Sequence, residues 1–150
     1  MRTVPSLAVV AAALLLTVSA RGEDKWTKIE NKSFSFSLPA SFKQTDAQGT
    51  DSFVEEYVAD GIQVSFDYGM YSNNFAGWPN GTKFENLKID GKAARLGTAK
   101  WELDKGFPYS TQVYIKLDGE VALSMRAACK SEKEVALARK IFESIAFKPK

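Results

Sequence analysis

The chain has 150 residues, of which 45% are hydrophobic and 25% are charged, and its formal net charge is +2. This near-balance of charge argues against nucleic acid as the main partner, because phosphate binding depends on clustered positive charge. The sequence has no histidine and one cysteine. It therefore excludes histidine-based acid–base catalysis, histidine-containing zinc sites, a thiolate cluster and an internal disulfide.

Residues 1–20 have the pattern of a signal peptide rather than of a folded segment. Arg2 supplies a basic start, residues 7–18 form an apolar run, and Val18-Ser19-Ala20 fits a small-residue cleavage site. A membrane span would need roughly 18 or more apolar residues, which disfavours an uncleaved anchor. We therefore predict a bacterial protein that is exported, periplasmic or secreted, and cleaved after Ala20. The mature chain is then one domain over residues 21–150 without a membrane span.

Alternating apolar and polar residues predict three strands in the first half of the mature chain, over residues 34–38, 53–59 and 62–68. Asp60-Gly61 separates the last two strands and favours a two-residue hairpin turn that pairs Tyr57 with Val64. In this register one face of the hairpin is apolar and the other is polar. The polar face carries Glu56, Gln63, Ser65 and Asp67.

The segment from residue 69 to residue 83 has no periodicity and contains several glycines and a proline, so it is predicted to be a loop. Loops of this length without structure of their own are uncommon and are often functional. It holds Tyr71, Phe75 and Trp78, which we take as candidate contacts to a ligand or a partner protein. The alternative is that Phe75 and Trp78 pack beneath the loop as a small satellite core.

Two more hairpins are predicted in the second half of the chain. The first has strands over residues 84–89 and 92–103 around Asp90-Gly91. The closing hairpin turns near Asp118-Gly119, and we favour a three-residue loop over residues 117–119 that sets Ile115 opposite Val121.

In this register Val113, Ile115 and Leu123 face the predicted helix, and the opposite face of the closing hairpin is polar. That face carries Tyr114, Lys116, Ser124 and Arg126. Tyr114 and Arg126 are further candidate binding residues, because Arg126 near carboxylates would suit an anionic group. The alternative is that this face is simply solvated, as polar faces of antiparallel sheets usually are.

The chain is predicted to end in a capped amphipathic helix. Ser131 and Glu134 form a capping-box pattern, and apolar residues follow at helical spacing from Val135 to Ile145. Cys129 lies at the end of the last strand beside apolar neighbours. We interpret it as a buried structural thiol, with a reactive or intermolecular cysteine as the alternative.

Several of these segments resemble the PsbP-like superfamily. They are Phe34-Ser-Phe-Ser-Leu-Pro39, Ile89-Asp-Gly-Lys92, Cys129 with Ser131-Glu-Lys-Glu134, and Ala138-Arg-Lys-Ile-Phe-Glu-Ser-Ile145. The resemblance implies an antiparallel sheet sandwiched by helices and a binding or accessory role without catalysis. This sequence departs from the family in lacking a second long helix in its middle. The motifs concern packing, so no functional residue is carried over.

Together the patterns predict an α+β fold, in which an antiparallel sheet of hairpins carries the C-terminal helix on one face as in a PsbP-like sandwich. The predicted function is a non-enzymatic exported binding or accessory domain, monomeric, without a cofactor or metal. Its partner would be a protein or small ligand, bound by the aromatic loop or the open sheet face. A carrier of lipid or another small apolar ligand is one alternative, and an enzyme based on carboxylates or lysine is the other.

Overall fold

The structure, a computed structural model, describes residues 25–150, so the predicted signal peptide lies outside the described residues. In this range the chain forms ten strands and one helix. They are β1 (Trp26–Glu30), β2 (Phe34–Pro39), β3 (Lys43–Gln44), β4 (Phe53–Ala59), β5 (Ile62–Gly69), β6 (Lys83–Ile89), β7 (Lys92–Ala99), β8 (Tyr109–Lys116), β9 (Ala122–Cys129), α1 (Glu132–Glu143) and β10 (Ala146–Phe147). Across residues 25–150, no helix is long and apolar enough to span a membrane.

Seven strands form the larger sheet, in the order β3-β4-β5-β9-β8-β7-β6, and all neighbouring pairs are antiparallel. Strands β6 to β9 follow one another as a meander, but β5 pairs with β9 rather than with β6. The chain must therefore travel from β5 past three strands to reach β6, a distance of about 19 Å at the usual strand spacing. Residues 70–82, here called the crossover, make this connection.

The core lies between the larger sheet and a second layer made of α1 and the small sheet β1-β2-β10. Phe34 and Phe36 of β2 meet Phe66 of β5, with ring centroids 5.0 and 5.7 Å apart in edge-to-face geometry. Beside them, α1 buries Ile141 and Phe142 and contacts β8 and β9. Burial of this apolar surface is the main stabilising contribution to the fold.

The predicted α+β class is wrong. The described part of the chain is mainly β, with 48% of residues 25–150 in strands and 10% in a single short helix. Among residues 25–150 α1 is the one helix, and the small sheet completes the layer beside it. On the other side of the larger sheet, the crossover takes the place of a covering helix.

The register is as predicted in one hairpin and wrong in another. Asp60-Gly61 forms the expected two-residue turn, and Tyr57 pairs with Val64. In the closing hairpin Ile115 pairs with Leu123, so the observed register is shifted by two residues from the predicted pairing with Val121. Because side chains alternate with a period of two, a shift of two residues preserves the face assignment.

Local interactions at the start of α1 differ from the predicted capping box. Ser131 is the N-cap residue, but its hydroxyl donates to the Glu134 carboxylate instead of accepting from the backbone. This hydrogen bond lowers the pKa of Glu134 from its ordinary value.

Cys129 is fully buried, as predicted, and burial raises the pKa of its thiol to about 12.

Candidate functional site

The crossover lies across the face of the larger sheet that points away from α1, here called the far face. Gln112 Nε2 and Ser124 Oγ both donate to the Asn73 carbonyl at 2.8 Å, which fixes the crossover above β8 and β9. Further along, the Phe75 ring lies directly over Gly97 of β7. A Cβ atom at Gly97 would stand only 2.5 Å from Phe75 Cε1, so the absence of a side chain there makes room for the ring.

Aromatic rings connect the crossover to the β7–β8 connection on one side and to β6 on the other. Trp101 from the β7–β8 connection meets Trp78 edge to face at 5.3 Å, and Trp78 meets Phe75 at 5.2 Å. Phe75 in turn meets Phe84 of β6 at 5.1 Å. The Arg95 guanidinium lies 3.8 Å from the centre of the Phe84 ring, a cation–π contact. We call these four rings the aromatic row.

A cavity of about 400 Å³ opens on the far face, between the crossover and the β7–β8 connection. We call it the far-face cavity. Its walls include Trp78, Trp101 and Leu103. Its floor is the sheet itself, where the polar side of β5, β9 and β8 supplies Ser65, Asp67, Ser124, Arg126 and Gln112. Its volume falls in the range of ligand pockets, as do those of four other surface cavities, of about 460 to 780 Å³. Among these five, the far-face cavity is the one lined by two indoles.

Both donors and acceptors of hydrogen bonds lie at the far-face cavity. The Arg126 guanidinium lies 3.5 Å from a carboxylate oxygen of Asp104, and both side chains are about one-third exposed. Asp67 adds a second carboxylate to the lining. Gln112 commits its amide nitrogen to the Asn73 carbonyl, so its amide oxygen is the group that it offers to a ligand. The cavity therefore presents donors, acceptors and indole surface together.

Two of the predicted site residues come together in this cavity and three do not line it. Trp78 and Arg126 both belong to the lining. Phe75 is 8% exposed and lies behind Trp78, so it supports the wall from the aromatic row. Tyr71 is 74% exposed at the start of the crossover, and Tyr114 lies two residues along β8 from Gln112, half-buried.

Sequence reasoning missed Trp101, Asp104 and the role of Asp67. Trp101 was placed within a predicted strand that extended to residue 103, whereas β7 ends at Ala99. The contact of Trp101 with Trp78 joins two connections that are distant in sequence, so no local pattern indicates it. Asp104 gave no signal, since its importance depends on the approach of Arg126 from β9.

The acidic side chains near this face do not form a metal-holding cluster among the described residues. Within residues 25–150 no three histidine, cysteine or acidic side chains converge on a position that could hold a metal ion. Glu55 and Glu56 are adjacent on β4 and therefore point to opposite faces of the sheet. Asp104, the acid closest to the cavity's arginine, is engaged in the ion pair.

Comparison with known proteins adds no identification. No family model matches the chain, and no curated protein matches it. The resemblance to the PsbP-like superfamily therefore stays a prediction from the sequence motifs.

Proposed function

We propose that this chain is an exported, monomeric, non-enzymatic domain that binds a small ligand in the far-face cavity. The observation that carries the proposal is the pairing of Trp78 with Trp101 at 5.3 Å above Arg126, in one cavity of about 400 Å³. The two indoles come from different connections and are held from below by the sheet. Indole surface next to a few fixed polar groups is the usual composition of a small-molecule site.

Binding is favoured over catalysis because the cavity lacks a group poised for proton transfer or nucleophilic attack. The chain has no histidine, and its one cysteine is buried in the core beneath the other face of the sheet. A carboxylate- or lysine-based enzyme would require acids held in strongly perturbed environments. Beside the cavity, the Asp104 carboxylate is engaged by the Arg126 guanidinium at 3.5 Å.

A lipid carrier is supported less, since the layer between helix and sheet is filled by side chains. Phe36, Met125, Ile141 and Phe142 are each 1% exposed or less and belong to one continuous core. An acyl chain in this layer would have to displace them, at a cost of several kcal/mol in lost packing.

A ligand-observed NMR screen of small polar fragments tests the proposed function. The wild-type protein is compared with Trp101→Ala, which removes one wall of the cavity. Trp26→Ala is the control, because Trp26 lies on β1 in the opposite layer and borders a different cavity, of about 780 Å³. We expect binding fragments whose signals are lost with Trp101→Ala and kept with Trp26→Ala. Fragments that bind all three proteins equally, or no binding at all, would contradict the proposal.

A further inference from the structure

We propose that the far-face cavity takes a neutral, hydroxyl-rich ring, the chemistry of an uncharged saccharide. This inference rests on the proposed function and adds the class of the ligand. It follows from three properties of the lining, namely its charge, its apolar surface and its mixture of hydrogen-bonding groups.

The charge at the cavity disfavours an anion. Arg126 is the one cation of the lining, and Asp104 stands 3.5 Å from it. Asp67 lies on the neighbouring strand β5, opposite Ser124 and one diagonal step from Arg126. The lining itself is balanced by Arg126 and Asp67, and Asp104 beside it brings the formal charge of the site to −1. An anionic ligand would have to compete with Asp104 for Arg126 while facing Asp67, so the anionic partner expected for Arg126 from the sequence is not favoured.

A cationic ligand is disfavoured for a related reason. It would gain from Asp67 and from the faces of the indoles, but it would share the cavity with the Arg126 guanidinium. A ligand without charge meets neither conflict. It also leaves the ion pair between Arg126 and Asp104 intact, so binding does not require either partly exposed charge to lose its partner.

Apolar surface and hydrogen-bonding groups occupy different sides of the cavity. Trp78 and Trp101 form the wall, and both are half-buried, so part of each indole faces the open volume. The floor offers the Ser65 hydroxyl, the Asp67 carboxylate and the Gln112 amide oxygen. A sugar ring presents C–H groups on one face and hydroxyls around its rim, and each hydroxyl both donates and accepts. It therefore matches the wall and the floor at once.

Three ligands with the same ring and different charge test the proposed class. Glucose, glucuronate and glucosamine are titrated into the full mature protein, and binding is followed by the shifts of the indole signals of Trp78 and Trp101. We expect the neutral sugar to bind most tightly, with glucuronate and glucosamine about two- to fivefold weaker, the range that partly exposed charges typically produce.

An Asp104→Asn variant sharpens the test. Without the Asp104 charge, Arg126 is free to meet a ligand carboxylate, so we expect the preference to move toward glucuronate. Lys116→Gln serves as the control, because Lys116 is an exposed residue at the end of β8, outside the cavity lining. Tighter binding of glucuronate than of glucose by the wild-type protein would overturn the inference.

The test separates failure of the ligand class from failure of the proposed function. If none of the three sugars shifts the indole signals but fragments still bind at Trp101, the cavity is a binding site and the saccharide class is wrong. If neither sugars nor fragments bind, the proposed function fails and the inference fails with it.

Discussion

Phe75 and Gly97 show how one residue pair fixes the position of the crossover. Phe75 has a positive φ of 62°, a conformation that costs a non-glycine residue about 1–3 kcal/mol. Its ring is accommodated only because Gly97 has no side chain. From the sequence, Gly97 looks like an ordinary glycine within a strand. Its importance depends on a contact with a residue 22 positions earlier, which no local pattern reveals.

Gly97→Ala is expected to destabilise the protein by about 1–3 kcal/mol, because the new methyl group overlaps the Phe75 ring. In an otherwise open strand, the same change would stabilise by roughly 0.5–1 kcal/mol, since glycine loses more backbone entropy on folding. The steric cost is larger than the entropic gain, so the net effect on the free energy of unfolding is destabilising. Chemical denaturation of the two single variants and the double variant with Phe75→Ala forms a double-mutant cycle.

In the Phe75→Ala background we expect Gly97→Ala to become neutral or stabilising. The same destabilisation in both backgrounds would show that the Phe75 ring is not what restricts Gly97.

Cys129 gives the protein a dependence on alkaline pH. Burial raises the pKa of its thiol from 9.0 to about 12, so the folded state favours the neutral form. The stabilisation is fully present below pH 9.0, the ordinary pKa, and is lost as the pH rises toward about 12. Between about pH 8 and pH 10.5 the loss amounts to roughly 2 kcal/mol in the free energy of unfolding.

Cys129→Ala removes this titration while leaving the lysines and tyrosines unchanged. Urea denaturation measures the free energy of unfolding of both proteins. We expect the difference between wild type and variant to shrink by roughly 2 kcal/mol between about pH 8 and pH 10.5. If the two proteins lose stability in parallel, the Cys129 thiol does not titrate differently in the folded and unfolded states.

At the scale of elements, the hairpins and the helix were predictable and their arrangement was not. Alternation and the Asp-Gly turns locate most strands, because these signals depend on neighbouring residues. The order of the predicted hairpins in the sheet does not follow from such signals, because β5 pairs with β9 through a contact distant in sequence. For the same reason, the crossover could be predicted as a loop but not placed on the far face. Trp78 was therefore found as a candidate, while Trp101 opposite it was not.

The edges of the larger sheet bear on the proposed monomeric state. At one edge β3 has two residues, and at the other β6 has seven and pairs only with β7. An exposed edge strand is a template for pairing with another chain, and lysines on such strands oppose it. Lys83 and Lys88 are both exposed on β6. On the same strand Glu85 accepts hydrogen bonds from Arg139 of α1 at 2.7 and 2.8 Å, which lowers the pKa of Glu85.

Replacing both edge lysines with valine is expected to cause self-association, because it removes the charges that keep a second β6 strand away. Analytical ultracentrifugation over a range of concentrations measures the mass. Lys116→Val is the control, since Lys116 is equally exposed but lies at the end of a strand with neighbours on both sides. If the double variant stays monomeric, the lysines are not what protects this edge.

At the scale of the whole molecule, the two faces of the larger sheet have separate roles. One face carries the core, where the small sheet and α1 exclude water from Phe34, Phe66 and their neighbours. The other carries the crossover and the far-face cavity, so substitutions at the proposed binding site leave the core undisturbed. This division follows from the connection between β5 and β6, which places an aromatic segment over a polar floor.

The most direct test of this account uses the three tryptophans of the chain as internal reporters. In a ¹H–¹⁵N spectrum each indole N–H gives one signal, and single tryptophan substitutions assign the three. On addition of glucose, or of the tightest fragment if glucose does not bind, we predict saturable shifts of the Trp78 and Trp101 signals. The Trp26 signal, from the opposite layer, should not move. Ligand binding that shifts Trp26 alone, or leaves Trp78 and Trp101 unchanged, would contradict the placement of function in the far-face cavity.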